Sequence, residues 1–197
     1  MLSQFSIRRL EPSDRRLPFN CGGTVCDKDL NDFFLNDSII SSRLLLSVTY
    51  SLESKSETVA FYSVLNDRIL RNDCGRNIFG RIRRKMPPEK RYGSFPSVKV
   101  GRFGVTTAYQ GRKIGSALLD YIKINFIDMN KTGCRFITVD AYNRARTIKF
   151  YLDNGFNFLT NEDKNDENRA MYFDLMPIAN LHADTVQGDS NISIIQT

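Results

Sequence analysis

Hydrophobic and polar positions change period several times along the chain, and each change marks an element. The clearest case is Val98–Phe126. Val98-Lys99-Val100-Gly101-Arg102-Phe103-Gly104-Val105 is an apolar run that reads as a strand. A polar turn, Thr106–Tyr109, follows. Ile114, Ala117, Leu118, Tyr121, Ile122 and Phe126 then fall on one stripe of an α-helix, with Lys113, Ser116, Asp120 and Lys123 on its polar side. Gln110-Gly111-Arg112-Lys113-Ile114-Gly115-Ser116 joins strand to helix.

The same reading extends in both directions. Phe5–Leu10 alternates as a first strand, and Glu11–Asp14 breaks it. Phe19–Gly23 is turn-rich. Asp27 or Asp29 can cap a helix running to about Ser42, with Leu30, Phe33, Phe34, Asp37 and Ile40 near helical period. Leu44–Leu52 and Thr58–Leu65 form a hairpin around the polar Glu53–Glu57. Asn66–Ser97 reads as a long basic loop, with a turn or short helix at Ile78–Ile82 and a stop at Pro87-Pro88. Beyond the central helix, Arg135–Ala141 is a buried strand. Asn143 can cap a helix to about Asp153, which Asn154-Gly155 ends. Phe156–Phe158 and Ala170–Leu175 are closing strands, with Thr160–Arg169 an exposed turn between them.

This order predicts an α/β fold, a mixed central sheet flanked by helices on both faces. One domain spans 1–176, and 177–197 is a polar C-terminal tail in which Ile192–Ile195 could add an edge strand. The apolar strand Met171–Leu175 could support a homodimer by strand pairing.

Composition narrows the function classes. With 41% hydrophobic and 25% charged residues, the 197-residue chain reads as an ordinary globular protein. The N-terminus has no secretion-type apolar segment and no run approaches a membrane span, so the expectation is a cytoplasmic protein without membrane contact. Cys21, Cys26, Cys74 and Cys134 lack paired metal spacing and His182 is the only histidine, so no metal is expected. Cys134, before a buried strand, is a core thiol. Net charge is +6, yet Arg81–Arg102 alone carries +7. That segment is either a solvated loop or a landing site for polyanions, whether coenzyme phosphates or nucleic acid.

The strand–turn–helix unit has a chemical use. The first N–H groups of a helix lack intrahelical partners, and glycine allows an anion to approach the backbone. A Walker loop is excluded because Gly-Lys-Ser/Thr is absent, and Gly-x-Gly-x-x-Gly is absent too. Gln110-x-x-Lys113-x-Gly115-Ser116 instead resembles the Gln/Arg-x-x-Gly-x-Gly/Ala pyrophosphate loop of the GNAT superfamily of acyl-coenzyme A N-acyltransferases. Gly101–Val105 resembles that family's splayed central strand, and Phe150-Tyr151-Leu152-Asp153-Asn154-Gly155-Phe156 its Phe-Tyr-x-x-x-Gly-Phe pattern. The match runs from about Phe5 to Leu175. One departure is Lys113, which stands where the first loop glycine is usual.

The resemblance implies acetyl transfer from acetyl-coenzyme A to a primary amine. Phe103, Gly104 and Val105 would hold the pantetheine arm, and a backbone N–H near Gly104 or Val105 the oxyanion. Gln110, Gly111, Arg112, Lys113, Ile114, Gly115 and Ser116 would hold the pyrophosphate. Tyr151 would protonate the departing thiolate, since a phenol is protonated at neutral pH. Asn143 would touch the coenzyme, or serve only as a helix cap. No general base stands out.

A narrower resemblance is to GNAT toxins of toxin–antitoxin pairs. It rests on Phe19-Asn20-Cys21-Gly22 followed by Leu30-Asn31-Asp32-Phe33-Phe34, on Val59–Val64, and on Gly101–Val105 with Tyr109-Gln110-Gly111. It implies aminoacyl-tRNA as acceptor, bound through Arg81–Arg102, and an antitoxin partner. A module that binds coenzyme A or nucleic acid without catalysis is the alternative, motivated by Lys113.

Overall fold

A computed structural model describes residues 2–181 except 129 and 131. Its strands are β1 (Ser6–Arg9), β2 (Val48–Glu53), β3 (Thr58–Leu70), β4 (Ser94–Val105), β5 (Phe136–Tyr142), β6 (Asn157–Phe158) and β7 (Asn168–Asp174). Its helices are α1 (Val25–Asp32), α2 (Ser38–Arg43), α3 (Arg76–Arg84), α4 (Ile114–Asp128) and α5 (Ala145–Asp153). The strands form one sheet in the order β1-β2-β3-β4-β5-β7-β6. All pairs are antiparallel except β4–β5, which α4 connects as a parallel crossover.

Strand alternation divides the core between two faces. Tyr62, Val64, Val98, Val100, Ile137, Val139 and Met171 point to one face and meet Ile114, Leu118, Leu119 and Ile122 of α4 and Tyr151 of α5. The neighbours in between point to the other face. There Phe61 packs with Phe19 and Phe34, and Ile69, Phe95, Phe136 and Tyr172 pack with Ile78, Phe79 and Ile82 of α3. Helices therefore cover both faces, as the sequence pattern predicts.

Several expectations change in detail. α1 is capped by Thr24, whose hydroxyl accepts from Asp27 N–H while the Asp27 carboxylate accepts from Thr24 N–H, a reciprocal capping box. A π-helical turn, Phe33–Asp37, joins α1 to α2 and buries Phe34. The hairpin's first strand begins only at Val48, because Leu44–Leu46 form an exposed turn. Asn66–Ser97 is not a loop. β3 continues to Leu70 against Ser94–Lys99, and α3 occupies Arg76–Arg84. The polar residues of β3 hid its period in the sequence: Asn66 and Arg68 are exposed whereas Ile69 is buried.

Thr160–Arg169 is also better fixed than an exposed turn. Arg169 is buried, pairs with Asp163 at 2.8 Å and stacks 4.0 Å from the Phe158 ring centroid. Met171 and Tyr172 already pair with β6 on the side away from β5, so within Met171–Leu175 only Phe173–Leu175 have no strand beside them there. Residues 176–181 are helical, so the segment expected to be tail starts with ordered structure. His182 and Ile192–Ile195 lie outside the described residues.

Candidate active site

β4 and β5 pair only at Ser97–Phe136, Val98–Ile137 and Lys99–Thr138. Both strands then continue, β4 to Val105 and β5 to Tyr142, without pairing again. The divergence opens a cleft of 410 Å³ through the sheet. Gly101–Phe103 form one wall and Asp140–Tyr142 the other. Cys26, Asp27 and Leu30 of α1 line it from one face of the sheet, and Thr147 and Tyr151 of α5 from the other.

Two features of β4 create the divergence. Ser63 pairs with Arg102 but Val64 pairs with Val100, so Gly101 is the extra residue of a bulge, which bends its strand. Gly104 carries no side chain because a Cβ would sit 2.9 Å from both Phe19 Cζ and Phe61 Cε1. Thr106 N–H donates to Val59 O. With a two-residue period, Arg102 and Gly104 also direct their N–H groups to β3, and Phe103 and Val105 direct theirs away from it, on the side where β5 diverges. Of the two expected oxyanion donors, Gly104 N–H therefore belongs to the β3–β4 ladder, and Val105 N–H points to the side left open by β5.

At the apex the Lys99 ammonium lies 2.8 Å from Asp140 and 4.0 Å from Asp67, and Thr138 Oγ1 donates to Asp67. Burial alone would lower the Lys99 pKa, but Asp140 and then Asp67 outweigh it and hold the group above its ordinary value. Near the mouth, the Tyr142 hydroxyl donates to Asp29 Oδ2 at 2.7 Å, and Arg102 Nε lies 3.5 Å from the same oxygen. The Arg102 guanidinium stacks over Phe33 at 5.1 Å, and Arg144 donates to Thr24 Oγ1. These contacts strap α1 across the cleft. The sequence reading missed them because Asp29, Arg102 and Tyr142 are far apart in the chain.

The turn after β4 is organised by Gln110. Its amide donates to Val105 O at 2.9 Å and to Cys21 O at 2.8 Å, and its Oε1 accepts from Arg146. The side chain thus braces three segments. Gly111 and Lys113 both have positive φ, 74° and 60°, so Lys113 adopts the conformation that favours glycine at this place. Ala117 N–H donates to Lys113 O, so the N–H groups of Ile114, Gly115 and Ser116 precede the intrahelical ladder of α4. Arg112 and Lys113 are exposed beside them. The donor set suits a pyrophosphate: unpaired backbone N–H groups at the positive end of a helix, with cations around them.

Tyr151 is buried between Phe150 and Phe156, each at a centroid distance of 5.2 Å. It lines the cleft, and among the described residues no side chain or backbone group is hydrogen-bonded to its hydroxyl. Burial alone pushes the phenol pKa well above its ordinary value, so it is fully protonated at neutral pH. Asn143 does not cap α5; Arg144 occupies that position. The Asn143 amide instead donates to Lys164 O and Asp166 O and holds the turn before β7. The Cys21, Cys74 and Cys134 thiols are buried and pushed up to about 11 by desolvation, which makes them inert core groups.

The basic segment divides into two parts. Lys99 and Arg102 lie in the cleft and are paired with acids. Arg81, Arg83, Arg84, Lys90 and Arg91 are exposed on α3 and the turn after it, next to the start of β4. Lys85 is drawn down to Asp174 at 2.9 Å. The length of β4, roughly 35 Å at the usual rise per residue, separates this surface from the Gln110–Ser116 turn. It is therefore too distant to cover a coenzyme phosphate at the turn. Among the described residues no helix is long and apolar enough to cross a membrane.

Residues 66–158 match the family model described as an acetyltransferase (GNAT) domain, a segment running from within β3 to β6 and including both the turn and Tyr151. No curated protein matches the chain in sequence. Among solved structures, AtaT complexed with acetyl-methionyl-tRNAfMet superposes with a TM-score of 0.70 at 22% identity, covering 90% of this chain and 99% of that one. A tyrosine-to-phenylalanine mutant of KacT gives 0.72 at 19% identity, over 91% of this chain and 99% of that one. AtaTR bound with acetyl-coenzyme A gives 0.69 at 20% identity, over 91% and 98%. At these identities the likeness is one of fold. With the splayed sheet, the donor turn and the matched segment in one chain, the protein has the fold of the GNAT acetyltransferases and carries a segment that matches their domain model.

Proposed function

We propose that this acetyltransferase moves the acetyl group of acetyl-coenzyme A to the α-amino group of an aminoacyl-tRNA, with Tyr151 as general acid. The observation that carries the catalytic part is the cleft between β4 and β5, which has unpaired β4 backbone on one wall and the Tyr151 phenol on another. The pyrophosphate would accept hydrogen bonds from the N–H groups at the start of α4. The pantetheine amides would pair with the cleft-facing backbone groups of Phe103, as an added strand does. A neutral amine attacks the thioester carbonyl, whose oxygen gains negative charge near Val105 N–H. Collapse breaks the C–S bond, the thiolate takes the Tyr151 proton, and the proton lost by the attacking nitrogen passes through solvent to restore the phenol.

The acceptor assignment is supported by the cations of α3. Arg81, Arg83, Arg84, Lys90 and Arg91 form an exposed basic surface well away from the donor turn, suited to a phosphate backbone that positions the substrate without being read in sequence. The neighbour AtaT has been solved in complex with acetyl-methionyl-tRNAfMet, and another AtaT structure is bound to the C-terminus of the antitoxin AtaR. By analogy, a protein antitoxin would restrain this chain. The test offers the purified protein labelled acetyl-coenzyme A with charged tRNA or with a panel of small amines. Label on the tRNA but not on free amino acids or polyamines supports the reading. Label only on small amines replaces the acceptor, and no acetyl-coenzyme A binding at millimolar concentration removes the donor.

A further inference from the structure

Lys123 falls on the polar side of the sequence-predicted helix, yet it is buried. A buried ammonium is costly unless its donors are matched. Its Nζ donates to Asp120 Oδ1 at 3.0 Å and to Asn154 O at 3.1 Å, and lies 4.5 Å from the Phe173 ring centroid. Asp120 is exposed on the same helix and could be reached from solvent. The Asn154 carbonyl is the partner on another element.

Asn154 closes α5. Its N–H donates to Phe150 O and Tyr151 O, and its side-chain amide donates to Phe150 O at 2.7 Å. Two residues later, Phe156 N–H donates to Tyr151 O at 3.0 Å. Gly155, at φ 82°, turns the chain between them; a Cβ there would lie 3.0 Å from Phe173 Cε2. The ring beneath the ammonium therefore also packs on the turn. Phe156 packs at a tilt against Phe173, with ring centroids 5.6 Å apart, and meets the Tyr151 ring edge at 5.2 Å. Asn154–Phe156 thus backs Tyr151 through backbone hydrogen bonds and ring contact. Lys123 holds that turn from α4, and its charge sits at the negative end of α5, where a cation is favoured.

α4 is also the helix whose first N–H groups face the donor site. Lys123 joins the element that would bind the pyrophosphate to the element that carries the phenol. We infer that Lys123 is a positioning residue, fixing the Tyr151 hydroxyl relative to the donor by clamping the Asn154–Phe156 turn to α4. The inference rests on the proposed role of Tyr151 as proton donor.

The test uses the full chain with tyrosines labelled at Cζ with carbon-13, the Tyr151 signal being identified by its loss in Tyr151→Phe. Lys123→Met keeps the stem and removes the donors. The Tyr151 signal should shift or broaden while that of the exposed Tyr92 holds. Acetyl transfer should fall about tenfold or more, the scale of a misplaced catalytic group, with KM for acetyl-coenzyme A nearly unchanged. In a Tyr151→Phe background the same substitution should cost no further rate, and Lys123→Arg should recover part of the loss. A folded Lys123→Met protein with an unmoved Tyr151 signal overturns the inference, as does an equal loss of rate in the Tyr151→Phe background. Wild-type protein supplies a second measurement that does not depend on the variant folding. Asn154 and Phe156 amides should exchange as slowly as those of central α4, and exchange at the rate of a frayed helix end overturns the clamp. A shifted Tyr151 signal in a protein that acetylates nothing would sink the proposed function and leave the clamp standing.

Discussion

Lys113 offers a prediction whose two contributions can be separated. Its φ of 60° is left-handed, which costs a residue with a Cβ about 1–2 kcal/mol. Lys113→Gly removes that strain but loosens the unfolded chain by about 0.4–1 kcal/mol. The net is a stabilisation of about 1 kcal/mol, or about 2–4 °C in Tm for a domain of this size. Lys113→Ala keeps the strain and removes the ammonium, so its Tm should stay near that of wild type. Both variants should bind acetyl-coenzyme A more weakly than wild type at low salt and converge with it at high salt, because the exposed ammonium acts through a screened field. The assays are thermal unfolding of the free protein and calorimetric titration at two salt concentrations. A Lys113→Gly protein no more stable than Lys113→Ala refutes the strain assignment. A loss of affinity that persists undiminished at high salt refutes the electrostatic one.

Two other perturbations address separate parts of the molecule. Arg83→Glu with Arg84→Glu should weaken tRNA binding broadly and flatten its salt dependence by about one unit per lost phosphate contact, with acetyl-coenzyme A affinity unchanged; loss of donor affinity instead would move the coenzyme onto α3. Burial alone would raise the Asp174 carboxyl pKa, but hydrogen bonds from Arg135 and Lys85 outweigh it and hold it below its ordinary value. Its folded pKa is thus the lower one, so its stabilisation is present at neutral pH and lost as pH falls through the ordinary carboxylate range toward the folded value. Asp174→Asn should therefore lower Tm at pH 7 more than at pH 2, and an equal loss at both contradicts the ion-pair account.

Elements with a clean period were legible in the sequence. The strand before Thr106, the helix after Gln110 and the helix ending at Asn154-Gly155 occur where they were read, although in α4 Leu119 and Lys123 are buried and Tyr121 of the expected stripe is exposed. Asn66–Ser97 was not legible. There β3 carries Asn66, Asp67 and Arg68, and α3 buries only Ile78, Phe79 and Ile82 among arginines, so tertiary contact with Phe95 and Phe136 decides the structure. The order of donor turn and tyrosine could be read from local motifs. The roles of neighbouring side chains could not. Gln110 is a brace, Asn143 holds the turn before β7, and Lys123 faces inward, each because of a partner far along the chain. The strap of Asp29, Arg102 and Tyr142 likewise has no local signature.

The central claim is that the β4–β5 cleft performs acetyl transfer to charged tRNA with Tyr151 as the acid. The most direct measurement compares single-turnover acetylation of aminoacyl-tRNA by wild type and Tyr151→Phe, alongside acetyl-coenzyme A affinity for both. The account predicts equal affinities, since the ring and its packing are kept, and a rate lower by about 10²–10⁴-fold in the variant, the usual contribution of a general acid. Equal rates for the two proteins would contradict it.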